Sequence, residues 1–333
     1  MNSKSGIPQK SDLSIFHKFK QNAIIILALI VLVLLFWALN PNFLNEFNII
    51  SMAQSLAPYA ILGLGVTFAI ATGGIDLSIG TVCIASSVVA GKLYTDGFIP
   101  LYLTIPVMIG IGALFGLING FLVAKLKLPA FIATLGTMMV SRGLSAILVN
   151  SPNVFYPTGT WFNRLFSNYN GFPSGLVWVL VFTLICMYLM YKNVVGRYIL
   201  SIGSNEEATR LSGISTDKYK MLAYLFTGIS AGIAAIFWSS SFVTVASATG
   251  NGMELDAIAG VYIGGTSAAG GVASVGGSVI GAAMLVVIRS GLNFVLAKYN
   301  LNVNSTYVTY VLTGVIVVIS VLIDILKNKK LKK

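Results

Sequence analysis

Charge and histidine are scarce in this sequence. Asp, Glu, Lys and Arg make up 9% of the 333 residues, whereas soluble domains carry about a quarter. The only histidine is His17, which excludes metal sites of the HExxH type and catalytic triads that use histidine. Cys83 and Cys186 stand in apolar runs without a CxxC or Cys/His neighbourhood, and we interpret them as packing residues.

Catalytic motifs are missing as well. The sequence has no G-x-x-x-x-G-K-[ST] loop to hold the phosphates of ATP, and the nearest match is Gly91-Lys92-Leu93. Neither a nucleophile with its base nor a metal cluster is present, which argues against a membrane-embedded enzyme. We therefore expect no catalytic residue and no metal site in this chain.

Apolar residues are abundant. They make up 56% of the chain, and the mean hydropathy is +0.87. A bilayer core about 30 Å thick is crossed by about 20 apolar residues in a helix, and helices satisfy their backbone groups internally. The sequence predicts an all-α, polytopic membrane bundle of about ten segments in contact with lipid, some of them broken, because 256–268 is too short to cross alone. The predicted segments are 22–39, 56–72, 79–94, 99–123, 130–149, 174–191, 221–244, 256–268, 275–297 and 306–326.

The basic residues indicate the orientation of the bundle. With both termini on the cytoplasmic side, 16 of the 21 Lys and Arg residues fall in inner loops and tails, as the positive-inside rule requires. This asymmetry explains the net charge of +11 without a nucleic-acid partner. We predict a basic cytoplasmic tail at 1–20, a single transmembrane domain at 21–326 with a cytoplasmic loop at 192–220, and a basic cytoplasmic tail at 327–333.

The inner loop contains a segment typical of a short capped helix. Ser204 and Glu207 fit a capping box, Glu206 and Glu207 lie at the positive N-terminal end, and Gly213 can end the helix. A helix of about eight residues is marginal alone in water, so another surface must hold it. That surface is either the bundle itself or a cytosolic partner.

Four segments of the chain form a recognisable set. They are Gly73–Gly80, Leu117–Gly120 leading to Lys127–Thr137, Glu254–Ala259 followed by Gly264–Ser267, and Gly203–Ser215. In order and at similar spacing, from about residue 40 to Asp324, they resemble the ribose-type branch of the ABC sugar permeases. The resemblance covers nearly the whole membrane domain.

The resemblance implies a permease subunit of the bacterial cytoplasmic (inner) membrane, driven by ATP. Its implied partners are a second permease copy or homologue, cytosolic ATPase subunits and an extracytoplasmic sugar-binding protein, with ATP and Mg²⁺ bound on the ATPase and no cofactor in this chain. The inner loop would correspond to the helix that couples permease to ATPase. The implied coupling residues are Gly203, Ser204, Asn205, Glu206, Glu207, Ala208, Arg210, Leu211 and Gly213.

The chain also departs from the family pattern. Arg289 and Ser290 stand where ribose permeases commonly have an Asn pair, and Thr313 stands where a Lys is frequent. These departures leave the cargo open, with ribose as the first candidate and a galactoside or another small sugar as the second.

Ionisable residues inside the spans are expensive and mark either a transport path or static ion pairs. Both readings stay open for Arg142, Glu254, Asp256 and Arg289. Asp76 is the exception, because it lies in a Gly-flanked break, and an irregular backbone is tolerated in a membrane only beside protein or a water-filled cavity. The aromatic candidates for sugar contact are Tyr59, Phe68, Phe131, Phe237 and Trp238. The predicted path and gating residues are Asp76, Ser78, Phe131, Thr134, Thr137, Arg142, Glu254, Asp256 and Asn293.

An ion-coupled secondary sugar transporter is the alternative function. It would use Asp76 with Arg142 or Arg289 as its coupling switch, and it would move sugar without any other protein.

Overall fold

A computed structural model describes residues 10–149, 153–246, 249–250, 252–300, 303 and 305–331. The helices are α1 (Lys10–Leu39), α2 (Glu46–Ala71), α3 (Ile79–Thr95), α4 (Thr104–Gly120), α5 (Ala130–Val149), α6 (Trp161–Phe166), α7 (Gly175–Met187), α8 (Val194–Ser204), α9 (Glu206–Leu211), α10 (Thr216–Ser241), α11 (Met253–Ile263), α12 (Val275–Lys298) and α13 (Ser305–Leu331). One π-helical turn extends α4 (Phe121–Lys125) and another extends α7 (Tyr188–Lys192), and 3-10 turns lie at Pro41–Leu44 and Leu101–Leu103. The strands β1 (Asn153–Phe155) and β2 (Thr244–Ala246) pair antiparallel.

The all-α membrane architecture is confirmed. Each predicted segment coincides with a helix, and six helices of the described chain are long and apolar enough to cross a membrane. The shorter apolar helices are Ala23–Leu39, Ile79–Thr95 and Tyr307–Ile319. The segment predicted at 256–268 is shorter still, since α11 ends at Ile263 and a left-handed glycine follows at Gly265.

Several helices extend beyond the apolar runs. The second helix begins at Glu46 rather than at residue 56, because the Asn45 side chain accepts a hydrogen bond from the backbone N–H of Asn48 and caps it. The first helix begins at Lys10, inside the predicted basic tail, and α13 continues to Leu331. Residues 1–9 and 332–333 of the predicted tails lie outside the described residues, and the cytoplasmic placement of both tails stays a prediction.

Glycines bring the central helices into backbone contact. A Cβ placed on Gly112 of α4 would lie 2.2 Å from the carbonyl oxygen of Gly228 of α10. A Cβ on Gly281 of α12 would likewise lie 1.9 Å from the carbonyl oxygen of Gly260 of α11. In lipid, where apolar burial between helices supplies little driving force, this close approach is the main source of packing energy.

The bundle has two distinct ends. At the outer end, β1 and β2 pair, and α6 packs beside the last turn of α10, where Asn163 donates a hydrogen bond to the carbonyl oxygen of Ser240. At the inner end lie α8, α9 and the basic turn between α4 and α5. The charge asymmetry of the sequence predicts that this inner end faces the cytoplasm.

Candidate functional site

A cavity of about 320 Å³ opens between the outer halves of α2, α10 and α12, with α11 at its side. Amide, hydroxyl, aromatic and charged side chains share its wall, which is an unusual mixture for the interior of a membrane domain. The lining residues are Asn48, Ser51, Met52, Ser55, Tyr59, Trp238, Phe242, Asp256, Leu285, Val286, Arg289, Ser290, Asn293 and Phe294.

An ion pair crosses this cavity. The Arg289 guanidinium donates hydrogen bonds to the Asp256 carboxylate and to the Tyr59 hydroxyl. Thr313 of α13 donates to the other oxygen of Asp256 at 3.3 Å. The Asp256 side chain is 5% exposed and that of Arg289 is 36% exposed, so the pair is buried on one side and open to the cavity on the other. Removing either partner would leave an uncompensated charge.

The aromatic part of the wall is built around Trp238. Its ring lies 6.3 Å from that of Tyr59 in an edge-to-face arrangement and 4.4 Å from that of Phe242. Trp238 is 6% exposed, and among the described residues its indole Nε1 has no hydrogen-bond partner. An apolar ring face with an unused N–H donor beside it suits a sugar, which offers C–H faces and hydroxyl acceptors.

The sequence predicted part of this cavity. Asp256 and Asn293 were predicted as path residues, and both line it. Tyr59 and Trp238 were aromatic candidates and also line it, as do Arg289 and Ser290, the departures from the family pattern. The sequence analysis missed three polar lining residues in the first turns of α2, Asn48, Ser51 and Ser55. The sequence feature that could have indicated them is a run of polar positions just before an apolar segment.

Asp76 lies in a second polar cluster, in the break between α2 and α3. It is 1% exposed, and one carboxylate oxygen accepts hydrogen bonds from the Ser78 backbone N–H at 2.9 Å and the Ser78 hydroxyl at 2.6 Å. Ser78 in turn accepts from Asn119 at 2.8 Å, and Asn119 accepts from Thr137 at 2.6 Å. The Thr134 hydroxyl donates to the carbonyl oxygen of Ile75 at 3.2 Å.

This cluster ties the break to α4 and α5. It brings together four predicted path residues and adds Asn119, which the prediction missed. Asp76 makes no ion pair with any residue that the structure describes, and Arg289 pairs with Asp256 instead. The cluster therefore does not supply the Asp76–Arg142 or Asp76–Arg289 pair that an ion-coupled switch would use.

The remaining predicted path residues are more dispersed. Glu254 accepts a hydrogen bond from the backbone N–H of Gly252 at 3.3 Å with one oxygen, and its other oxygen is buried with no partner in the described chain. The Nε of Arg142 is also buried without a partner there. Phe131 is 57% exposed and lines neither the cavity nor the Asp76 cluster.

The short inner helix exists as predicted, but its cap differs. Asn205, not Ser204, accepts the hydrogen bond from the Ala208 backbone N–H, at 2.9 Å. Ser204 is the last residue of α8 and donates back to the carbonyl oxygen of Leu200. The predicted capping box is thus wrong, because Glu207 turns outward and binds Arg210 at 2.7 Å. The helix has six residues rather than about eight, and Gly213 ends it with φ 81° as predicted.

Two contacts attach α9 to the bundle. The hydroxyls of Thr209 and Ser201 of α8 are 2.8 Å apart, and Glu206 pairs with Lys220 of α10. The opposite face is open, with Leu211 79% exposed. The Arg210 guanidinium donates hydrogen bonds to the Glu207 carboxylate, and these raise the pKa of Arg210, so that Arg210 stays charged at any physiological pH. An anchored helix with an exposed leucine between charges is suited to dock into a partner.

Comparisons with known proteins show the family of this chain. Residues 48–321 match the family described as branched-chain amino acid transport system / permease component. The chain is 35% identical to the ribose import permease protein RbsC of Escherichia coli K12, over 92% of this chain and 93% of the relative. It is 34% identical to RbsC of Bacillus subtilis, over 90% and 91% of the two chains. The D-allose transport system permease protein AlsC of Escherichia coli K12 is 31% identical, over 93% of each chain. No solved structure matches.

Proposed function

Because the chain belongs to the permease component family that includes the ribose import permeases, we propose that it carries ribose through the bacterial inner membrane as the membrane subunit of an ATP-driven importer. The observation that carries this proposal is the alignment with a ribose permease over 92% of the chain and 93% of the relative. An alignment of that extent includes every helix from α2 to α12.

The outer cavity supports a sugar as cargo. Its wall offers the amides, hydroxyls and aromatic face that bind a sugar, beside the aliphatic side chains of Met52, Leu285 and Val286. We propose that Trp238 stacks on the sugar ring and that Asn48 and Asn293 bind its hydroxyls. Allose import by a relative at 31% identity makes a hexose the second candidate.

We propose that the energy enters through α9. A cytosolic ATPase subunit would bind ATP and Mg²⁺ and would seat the exposed face of α9 in a groove. Closure of the ATPase dimer would move α9, and the Glu206–Lys220 pair and the Ser201–Thr209 contact would carry that motion into α10 and α8. The chain itself supplies no phosphate-binding loop.

The remaining partners follow from the same proposal. A second permease, either another copy or a homologue, would complete the membrane unit, and an extracytoplasmic sugar-binding protein would deliver the cargo to the outer end. The runner-up function is ion-coupled secondary transport. Its predicted switch, Asp76 with Arg142 or Arg289, is not formed among the described residues, where Arg289 pairs with Asp256.

Cargo competition tests the proposal. Vesicles containing the assembled transporter and its binding protein take up radiolabelled ribose, and unlabelled ribose, allose, galactose or leucine is added in excess. Competition by ribose, weaker competition by allose and none by leucine is the expected result. The proposed cargo would be contradicted if unlabelled leucine inhibited the uptake and unlabelled ribose did not.

A further inference from the structure

A second cavity lies at the inner end, apart from the sugar-facing one. It has a volume of about 390 Å³ and is an open cleft bounded by the end of α2, the start of α5, α9 and α10. Three of its lining residues are basic, Lys127, Arg210 and Lys220, and the one acidic lining residue in the described chain is Glu206. The excess of positive charge along this cleft favours an anion.

The basic groups have donors to spare. Lys127 pairs with Asp217 and Lys220 pairs with Glu206, and each of these contacts occupies one of the three N–H donors of an ammonium group. Arg210 binds Glu207 through Nη2 alone, which leaves the rest of its fork unoccupied. Donors from three separate chain segments therefore converge on one space.

Tyr224 supplies an independent indication of a ligand. It lines the cavity and is 0% exposed, yet its hydroxyl has no hydrogen-bond partner among the described residues. The hydroxyl lies against Gly74, where an added Cβ would come within 2.3 Å of it. A buried hydroxyl without a partner is unfavourable, and a ligand oxygen in the cavity would satisfy it.

We propose that this cavity binds the phosphate group of a phosphate ester, with Lys127, Lys220 and Arg210 neutralising its charge and the Tyr224 hydroxyl donating to a phosphate oxygen. A tetrahedral phosphate has acceptors pointing in several directions and matches donors from separate helices. A neutral sugar has no need of three cations.

Binding would affect the coupling helix. The phosphate competes with Glu206 for Lys220, and that ion pair attaches α9 to α10. Loss of the pair weakens the link between α9 and the bundle, so the bound anion slows transport from the inner side. This regulatory effect rests on the proposed function, whereas the binding itself does not.

Two sources can supply the phosphate: a soluble ester such as ribose 5-phosphate, or the headgroup of an anionic lipid. The assembled transporter is placed in nanodiscs of phosphatidylcholine alone or with phosphatidylglycerol, and binding of radiolabelled ribose 5-phosphate is measured. We expect saturable binding in phosphatidylcholine. If phosphatidylglycerol displaces the ester, the headgroup is the natural occupant; if it does not, the soluble ester is.

Variants distinguish binding by specific lining residues from nonspecific electrostatic attraction to a basic surface. K127Q removes a lining cation and should weaken ester binding about tenfold, as expected for one charge-assisted hydrogen bond. Y224F removes only the hydroxyl and should weaken binding about fivefold. The matched control is K218Q, which removes the same charge from an exposed position near the cavity that does not line it.

The proposal fails if ribose 5-phosphate does not bind saturably in either lipid, or if K218Q weakens binding as much as K127Q does. It also fails if the permease without its ATPase binds the ester but the assembled transporter does not, since the ATPase then fills the cavity. Ribose uptake by the same variants without any ester reports separately on the proposed function.

Discussion

Gly203, in the last turn of α8, lies directly against the backbone of Gly271, in the loop between α11 and α12. A Cβ on Gly203 would come within 2.3 Å of the Gly271 nitrogen and 2.0 Å of the Ala71 carbonyl oxygen. The Gly271 N–H donates to that same oxygen at 3.0 Å. The segment that carries α9 therefore meets the ends of both interrupted regions, after α2 and after α11, with no side chain between them.

Gly203→Ala should reduce ribose uptake by at least tenfold while leaving the ATPase subunit attached. The added methyl group collides with backbone atoms, which cannot move aside as a flexible side chain would. Overpacking of this kind destabilises the contact between Gly203 and Gly271 by about 1–3 kcal/mol. Uptake and ATPase copurification are measured together. The control is Gly110→Ala, at a helical glycine with nothing within 4 Å of the added Cβ. Equal uptake by the two variants would show that the junction does not transmit motion.

The cap of α9 can be tested with neighbouring substitutions. Asn205→Ala should weaken ATPase binding, because losing an N-cap hydrogen bond destabilises a helix by about 1 kcal/mol and α9 has only six residues. Ser204→Ala, one position earlier, should have little effect, since Ser204 bonds within α8. Affinity for the purified ATPase is the measurement. A larger loss with Ser204→Ala would restore the capping box that the sequence predicted.

The exposed leucine of α9 should act as the anchor for the ATPase. Leu211→Asp places a charge at a position that is 79% exposed in the isolated permease, so the permease should still fold while copurification of the ATPase falls more than tenfold. Thermal stability of the detergent-solubilised permease checks the folding. Full retention of the ATPase by Leu211→Asp would exclude this face as the docking surface.

The indole N–H in the outer cavity should contribute to cargo recognition. Trp238→Phe keeps an aromatic face and removes the unpaired donor, and we expect the KM for ribose uptake to rise about fivefold, consistent with one lost hydrogen bond. Trp178→Phe is the control, because its Nε1 donates to the carbonyl oxygen of Leu165 and it lies outside the cavity. If both substitutions raise KM equally, the cavity does not contact the cargo.

Asn119 should stabilise the fold rather than carry cargo. Asn119→Leu removes the amide that donates to the Ser78 hydroxyl and accepts from the Thr137 hydroxyl. These hydroxyls still donate to Asp76 and to the Thr134 carbonyl oxygen, so the cost should be about 0.5–1.5 kcal/mol for each lost hydrogen bond. The melting temperature should fall, whereas the KM of the protein that remains folded should not change. A raised KM at unchanged stability would place this cluster in the transport path.

Most helices were predictable from the sequence because their apolar runs, except 256–268, are long enough to form a span and are bounded by polar or glycine-rich segments. The start of α2 was not predictable from the apolar runs, because it depends on the Asn45 cap rather than on hydropathy. The cap of α9 was misassigned because Ser204 and Asn205 are both good N-cap residues, and only the continuation of α8 through Ser204 excludes the first.

The sites were less predictable than the helices. Glycine spacing indicated that helices approach closely, but not that Gly203 meets Gly271, because residues 68 positions apart in the chain reveal no contact by spacing alone. Asn119 gave a weak signal, since an amide in an uncharged span requires a buried partner. Arg289 and Asp256 were both identified from the sequence as charged residues within spans. That they pair with each other could not be predicted, because it depends on how α11 packs against α12.

The most direct test of the account is whether the permease alone can concentrate ribose. The purified chain is reconstituted in sealed vesicles with a proton or sodium gradient, and in parallel with its ATPase, its binding protein and ATP. We predict accumulation of ribose only in the complete system and only with hydrolysable ATP. Uphill ribose uptake by the lone chain, driven by either gradient, would contradict the claim that the energy enters through α9.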